Sequence, residues 1–246
     1  MIGRNSPEQP DAPPLIDEER VDRTTSSAEV SEEPSATAPR YSSSRPDLES
    51  FERFLDDVKA SFPEKEYRWT KGKSRSSKWI LDRVPAGWRG VDVGGTEYLC
   101  KKLAEKGCKA TFFDIGAPED YGDYIQDDMI NILRHFEEKS LDFITTRHTL
   151  EHSLMPLFQL WAYNRLLKDD GRLFVIVPIH NERWVWYPTH FNCLPYENWL
   201  MLFYRAGFKV EEHDAGTWSV TRPDFIEYRF SLSVQSRELR LAKGRR

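Results

Sequence analysis

The chain has 246 residues, enough for one domain with a tail or at most two small domains. Hydrophobic residues make up 39% of it, below the usual globular share, which predicts that part of the chain does not fold. No apolar run approaches membrane-spanning length, and the N-terminus lacks the apolar stretch of a secretory signal, so we expect a cytoplasmic protein with no membrane partner.

Residues 1–46 differ in composition from the rest, being crowded with Ser, Thr, Pro and Glu and carrying nine acidic and five basic residues. Such a segment cannot bury enough apolar surface to offset the entropy lost on ordering, so we expect it to be disordered. It accounts for four of the five net negative charges, which leaves residues 47–246 nearly neutral. That balance gives no reason to expect a nucleic-acid partner, although residues 237–246 form a short basic tail.

The three cysteines, Cys100, Cys108 and Cys193, lack the close pairing of a zinc site, and three is an odd number for a disulfide framework. Reduced thiols are therefore expected, and no metal site is predicted.

An amphipathic helix is predicted directly after the tail. Asp47 is a favourable N-cap, and apolar side chains recur at helical spacing from Leu48 to Val58. The apolar face must pack on something, either over a ligand site of this chain or against a partner protein.

The next residues, 63–77, are polar and are predicted to form a linker, followed by a short helix over about 76–84 that Pro85 stops. We therefore assign residues 47–74 to the N-terminal helix and linker, and residues 75–236 to the folded domain.

Beyond Pro85 the pattern alternates between short apolar strands and helical segments. Strands are predicted at 90–93, 109–114, 124–126, 141–145 and 172–178. Helices are predicted at 99–107 and 155–167, with a polar turn at 168–171. A helix at 196–206 and strands at 208–212 and 230–235 complete the chain. Near-continuous apolar strands between helices indicate a doubly wound α/β fold, with a parallel sheet covered on both faces.

The turn after the first strand reads Val91-Asp-Val-Gly-Gly-Thr-Glu-Tyr98, and Asp114 ends the next strand. In a nucleotide-binding βαβ unit, glycines let the backbone approach the ligand, and a carboxylate after the second strand holds ribose hydroxyls. The alternative is a tight turn with an ordinary surface Asp. The full G-x-G-x-x-G spacing is missing, which argues against NAD.

Two longer blocks extend this pattern. Ser140-Leu-Asp-Phe-Ile-Thr-Thr-Arg-His-Thr-Leu-Glu-His152 resembles the fourth-strand motif of class I S-adenosylmethionine-dependent methyltransferases of the small-molecule type, which ends in L-E-H. Leu166-Leu-Lys-Asp-Asp-Gly-Arg-Leu-Phe-Val-Ile-Val-Pro178 resembles the same family's fifth-strand block. The later His190-Phe191 and Ala206-Gly-Phe208 also follow its order and spacing.

The resemblance implies a seven-stranded Rossmann-like methyltransferase sheet whose last strand inserts antiparallel between the fifth and the sixth. It also implies that S-adenosylmethionine lies across the carboxyl ends of the first strands. Carried over by position, the contacts to the methionine half fall on Asp92, Gly94 and Gly95. By the same comparison, Asp114 would bind the ribose, and either Asp127 or Asp128 would face the adenine amine.

One position departs from the family pattern D-x-G-x-G-x-G, because Glu97 stands where its last glycine is expected. A carboxylate there either repels the cofactor's carboxylate and narrows the site, or pairs with the cofactor's ammonium group. Under the first alternative the chain is a binding or scaffold protein with weakened catalysis, and under the second it is a working enzyme.

The expected acceptor is a small molecule or a glycan, methylated at oxygen or nitrogen. A base near neutral pH helps an oxygen acceptor, and His148, His180 and His190 are the catalytic candidates, with a structural or surface histidine as the alternative for each. His152 is assigned to packing or capping, and Arg147 to an anionic acceptor or a salt bridge.

Bulky aromatic side chains fill the segment after the fifth strand, among them Trp184, Trp186 and Tyr187. They are predicted to lie in a loop, which either forms a lid or one wall of an acceptor pocket or packs on the sheet edge.

Overall fold

The computed structural model describes residues 48–60, 75–116, 121–218 and 223–235. The α-helices in these ranges are α1 (Leu48–Ala60), α2 (Arg75–Leu81), α3 (Glu97–Glu105), α4 (Pro156–Leu166), α5 (Glu182–Val185) and α6 (Tyr196–Ala206). The strands are β1 (Arg89–Val93), β2 (Lys109–Asp114), β3 (Tyr124–Gln126), β4 (Leu141–Arg147), β5 (Leu167–Pro178), β6 (Phe208–Thr217) and β7 (Ile226–Val234). Short 3₁₀ helices at Met129–Arg134 and Leu150–His152 follow β3 and β4.

The strands form one sheet in the order β3-β2-β1-β4-β5-β7-β6. The strands β1 to β5 pair in parallel with one another, and β7 is antiparallel to both β5 and β6. The predicted doubly wound seven-stranded sheet, with its last strand inserted antiparallel between the fifth and the sixth, is confirmed.

The parallel strands β1, β2, β4 and β5 all end at the same side of the sheet, which we call the carboxyl edge. Because β7 runs the opposite way, it begins at this edge, where Glu227 pairs with Pro178 of β5. The antiparallel insertion therefore brings the start of β7 next to the ends of the parallel strands.

Side chains that alternate along the strands fill two apolar layers. Val175 and Val177 of β5 belong to the layer with α4 and α6, whereas Phe174 and Ile176 belong to the layer with α2 and α3. Large rings fill the first layer, and all of these are fully buried: Tyr163, Trp199, Phe203 and Phe230. Each fully buried side chain of this size contributes about 1.5–3 kcal/mol of transfer free energy.

The polar residues 168–171, predicted as a turn, lie within the span of β5 but have no partner in β4, and Gly171 folds back onto the backbone of Lys168. β5 starts at Leu167, which pairs with Leu141, and its next pair is Arg172 with Phe143. Four residues of β5 therefore stand opposite a single residue of β4 and form an irregular bulge. The bulge lets a polar Lys-Asp-Asp-Gly sequence remain within an otherwise apolar strand.

The predicted N-terminal helix is present as α1. The predicted disordered tail, most of the linker and the basic C-terminal tail lie outside the described residues. No helix of the described chain is both long enough and apolar enough to cross a membrane.

Gly90 of β1 tests the close packing of the central strands. A Cβ atom there would lie 2.2 Å from the carbonyl oxygen of Phe143 in β4, so the backbone itself must move. We expect Gly90→Ala to lower the free energy of unfolding by about 1–3 kcal/mol, measured by urea denaturation. Gly122→Ala is the matched control, because a Cβ there meets nothing within 4 Å. Equal stability of the two variants would contradict this account.

Candidate functional site at the carboxyl edge

The glycine turn after β1 packs tightly against two side chains of the protein itself. Gly94 has a φ of +64°, and a Cβ there would lie 2.2 Å from the hydroxyl oxygen of Thr149. A Cβ at Gly95 would lie 1.7 Å from a carboxylate oxygen of Asp92. Both positions therefore require glycine for the internal packing of the turn.

Asp92 lies completely buried beneath this turn. Its Oδ1 accepts a hydrogen bond from the Thr145 hydroxyl at 2.5 Å, and its Oδ2 accepts one from the Thr96 N–H at 3.1 Å. Burial raises the pKa of Asp92 in spite of these hydrogen bonds. The carboxylate thus ties β1 to β4 and to the start of α3, whereas its contact with the methionine half of a cofactor stays a prediction.

Arg147 at the end of β4 extends this network to α2. Its guanidinium donates to the Ser77 hydroxyl at 2.9 Å and to the Thr96 hydroxyl at 3.1 Å. The side chain is buried, and burial lowers its pKa against the opposing charge of Asp92. These contacts within the protein give Arg147 a structural role in holding two helices on the sheet.

Glu97 is the first residue of α3, directly after the N-cap Thr96. Its carboxylate forms an ion pair with Lys101 one turn further along the helix, and 23% of the side chain is exposed. A carboxylate in the first turn is also favoured by the helix dipole. The charge that breaks the glycine pattern is therefore balanced within its own helix.

Asp114 ends β2 with only 8% of its surface exposed. Its Oδ1 accepts a hydrogen bond from the Gly116 N–H at 2.8 Å. Burial raises the pKa of Asp114 to about 7, and the nearby charge of Asp92 adds to this effect. A buried carboxylate in this state gains from further hydrogen-bond donors, such as the hydroxyl groups of a ribose.

Asp127 and Asp128 lie beside Asp114, because the Asp127 N–H donates to the Asp114 carbonyl at 3.0 Å. The Asp127 carboxylate accepts from Asn131 at 2.8 Å and pairs with His135 at 2.7 Å. Asp128 caps the following 3₁₀ helix. Both side chains have partners in the protein, and the choice between them for the adenine amine stays open.

His148 follows β4 with a φ of +54°, a left-handed conformation that is uncommon outside glycine. Its Nε2 donates to Glu227 at 2.9 Å, and its Nδ1 lies 3.4 Å from Glu151, with both carboxylates buried. Burial lowers the pKa of this ring, but the two hydrogen bonds outweigh burial and raise it to about 9. A cation that donates through both nitrogens has no lone pair to accept a proton, so the geometry argues against the predicted role of His148 as a base.

The aromatic segment after β5 is not wholly a loop as predicted, because it contains the short helix α5. The Asn181 side chain caps this helix by accepting from the Trp184 N–H at 3.1 Å. Trp184 is buried against Phe225, with 4.3 Å between ring centroids, whereas Trp186 is 79% exposed. Only part of the predicted aromatic wall therefore belongs to a packed cluster.

His190 and His152 come together at the end of this segment, with 4.8 Å between their ring centroids. The Phe191 and Asn192 N–H groups both donate to the Glu151 carbonyl, at 2.7 and 3.0 Å, which fastens the segment to the L-E-H turn. Reasoning from the sequence missed this cluster, because it assigned His152 to packing and did not select Glu151. The adjacent Glu and His of the L-E-H block were the only signal.

His180, the remaining histidine candidate, is exposed after β5. Its Nδ1 donates to the Cys193 carbonyl at 2.6 Å. Cys193 lies three residues after His190 in the same segment.

The chain matches the model of a methyltransferase domain over residues 52–213. No curated protein matches it in sequence. Among solved structures it resembles the *Burkholderia thailandensis* 1,6-didemethyltoxoflavin-N1-methyltransferase bound to 1,6-didemethyltoxoflavin and S-adenosylhomocysteine (TM-score 0.60, 14% identity, 77% of this chain and 90% of that one).

Two further structures show the same fold. One is the methyltransferase of *Haloferax volcanii* in complex with the Trm112 methyltransferase activator (TM-score 0.56, 20% identity, 65% of this chain and 89% of that one). The other is a *Bacillus halodurans* methyltransferase (TM-score 0.53, 15% identity, 66% of this chain and 99% of that one).

The charge pairs of His148 are testable by stability. We expect His148→Asn to lower the free energy of unfolding by about 2–4 kcal/mol at neutral pH, because Glu151 and Glu227 each lose a buried partner. Asn tolerates the left-handed backbone, so the loss reports on the charges. The matched control is His180→Asn, an exposed histidine, for which we expect a change below about 1 kcal/mol in the same denaturation experiment. A loss in His148→Asn no larger than in the control would contradict the ion-pair account.

Proposed function

The chain belongs to the class I S-adenosylmethionine-dependent methyltransferases, and we propose that its acceptor is a small molecule or a glycan, methylated at oxygen or nitrogen. The family identity means that the protein is an enzyme that uses S-adenosylmethionine, which supplies an already activated methyl group. The protein's own contribution is then to orient the two substrates and to promote loss of the acceptor proton.

The described residues fit an adenosyl cofactor at the carboxyl edge. We propose that the buried Asp114 carboxylate holds the ribose hydroxyls and that the turn at Gly94 and Gly95 lies against the methionine half. In the same proposal, the loop at Asp127 and Asp128 faces the adenine. The raised pKa of Asp114, caused by burial, is the support for the ribose assignment.

The charge of Glu97 bears on the choice between a working enzyme and a binding or scaffold protein with weakened catalysis. The ion pair with Lys101 supplies a positive partner for the carboxylate without the cofactor. That pairing weakens one part of the argument for a binding or scaffold protein, the repulsion between Glu97 and the cofactor's carboxylate, and leaves the narrowing of the site unchanged.

The observation that carries the acceptor proposal is the protonation of the His190 ring, which leaves one ring nitrogen able to accept a proton. Its Nδ1 contacts the Trp184 carbonyl at 3.0 Å, and because a carbonyl only accepts, Nδ1 must carry the hydrogen. Nε2 therefore keeps its lone pair when the ring is neutral. Burial lowers the pKa of His190, so the neutral ring dominates at physiological pH. We propose that His190 promotes loss of the acceptor proton.

The surroundings of His190 suit a ring-shaped acceptor. Its ring packs beside Tyr187 at 4.7 Å and Trp184 at 6.0 Å between centroids, and Trp184 in turn packs on Phe225. Aromatic faces of this kind bind sugars and planar heterocycles. The *Burkholderia* enzyme of the same fold acts on a small heterocycle, which supports the small-molecule class.

Cofactor binding is expected to depend on pH through Asp114. Ribose hydroxyls bind the ionised carboxylate, so S-adenosylhomocysteine should bind about tenfold more tightly as the pH rises from 6 to 8 through the Asp114 pKa of about 7. In Asp114→Asn we expect affinity about thirty- to thousand-fold weaker and nearly independent of pH, measured by calorimetry. A pH dependence that persists in the variant would assign it to another group.

The acceptor class is testable by methyl transfer. The protein is incubated with methyl-labelled S-adenosylmethionine and with separate small-molecule, glycan, protein and RNA fractions of a cell extract. We expect label in the small-molecule or glycan fraction, and a loss of about 100-fold or more in His190→Gln with S-adenosylhomocysteine affinity within about threefold of wild type. Label confined to protein or RNA would contradict the proposal, as would full activity of His190→Gln.

A further inference from the structure

Glu151, His152 and His190 form a compact cluster at the carboxyl edge. A carboxylate oxygen of Glu151 and one ring nitrogen from each histidine all lie within 4.8 Å of one another. Glu151 is buried, whereas both histidines are partly exposed, so the cluster is open on one side. His190 lies 38 positions after His152 in the sequence, so these three residues come together only in the folded chain.

Both imidazoles are oriented by backbone carbonyls. The Nδ1 of His152 lies 2.7 Å from the Thr189 carbonyl, and the Nδ1 of His190 lies 3.0 Å from the Trp184 carbonyl. In each ring Nδ1 must donate, so the lone pair of the neutral form is on Nε2. Metal-binding histidines characteristically donate their second ring nitrogen to a carbonyl or carboxylate in this way.

Glu151 has an oxygen whose hydrogen-bonding capacity is unused. Oε1 lies beside the His148 ring, whereas Oε2 is buried and has no hydrogen-bond partner. An unsatisfied buried carboxylate oxygen is costly, and such groups in a folded protein commonly have a ligand or an ion as partner.

We propose that Glu151, His152 and His190 bind a divalent first-row transition-metal ion such as Zn²⁺. Two imidazoles and one carboxylate are a donor set that suits such ions and leaves coordination positions open for a substrate. Tetrahedral ligand atoms at about 2.1 Å from one ion lie about 3.4 Å apart, so the widest separation in the cluster, at most 4.8 Å, must contract by up to about 1.4 Å. Rotation of the two partly exposed rings supplies that movement.

This inference deepens the proposed function and rests on it for the role of the ion. A metal ion at this place would bind the acceptor oxygen in an open position and lower its pKa. His190 would then promote loss of the acceptor proton as a ligand of the ion, and the proton would pass to solvent water at the open side of the cluster. The acceptor class narrows accordingly to small molecules or glycans that present oxygen donors, such as an enol, a phenol or a vicinal diol.

The decisive measurement is metal binding by the full-length chain, prepared without a histidine tag and stripped with a chelator. The protein is titrated with Co²⁺, whose visible absorption reports coordination by nitrogen and oxygen, and then with competing Zn²⁺. We expect one equivalent of Co²⁺, displaced by Zn²⁺, and binding at least about 100-fold weaker in Glu151→Gln and in His190→Gln. His213→Gln, which alters an exposed histidine of β6, is the matched control and should bind like wild type.

Binding of S-adenosylhomocysteine by each variant serves as the folding control. If Glu151→Gln does not fold, His152→Gln replaces it, because His152 is partly exposed. The proposal fails if wild type takes up no stoichiometric Co²⁺, Zn²⁺ or Mn²⁺, or if the folded cluster variants bind like wild type. Methyl transfer undiminished in chelated protein would overturn the role of the ion while leaving the proposed acceptor class intact. One equivalent of Co²⁺ in a protein that methylates only protein or RNA would keep the metal site and reject that acceptor class.

Discussion

The buried carboxylate of Asp92 is the interaction on which the carboxyl edge depends. It accepts hydrogen bonds from β4 through Thr145 and from the start of α3 through Thr96. Gly95 must be a glycine because its backbone lies directly against this carboxylate. A charge in so apolar a position is tolerated only when several donors surround it, and those donors come from elements that must all be in place. The turn that precedes α3 therefore depends on β1 and β4 as well as on its own residues.

Buried charges at the same edge cause two of its histidines, His148 and His190, to differ in protonation. His148 lies between the carboxylates of Glu151 and Glu227, which keep it protonated, and Arg229 supports Glu227 at 2.8 Å. His190 has a backbone carbonyl as its hydrogen-bond partner and stays neutral. Identical side chains a short distance apart thus have different protonation states because their acceptors differ in charge. Only the neutral kind offers a lone pair to a proton or a metal ion.

The antiparallel strand β7 connects these two features. Because it begins at the carboxyl edge, it delivers Glu227 to the ends of the parallel strands, where a parallel strand would have placed its last residues instead. Phe225, just before β7, packs against both His148 and Trp184. The family's characteristic strand insertion therefore supplies a counter-charge and an aromatic wall to the region proposed for the acceptor.

Local sequence determined the order of elements and the positions of the glycine turn and Asp114, because periodicity and short motifs act over a few residues. The strand insertion was implied only by the resemblance of the longer blocks to the family. Local sequence did not determine which histidine is charged. That depends on Glu227, which lies 79 residues after His148 and reaches it only through the antiparallel insertion. The cluster of Glu151, His152 and His190 was likewise decided by tertiary structure, through two hydrogen bonds to the Glu151 carbonyl. Protonation and ligand geometry follow from distances and burial, and for residues far apart in sequence these exist only once the chain has folded.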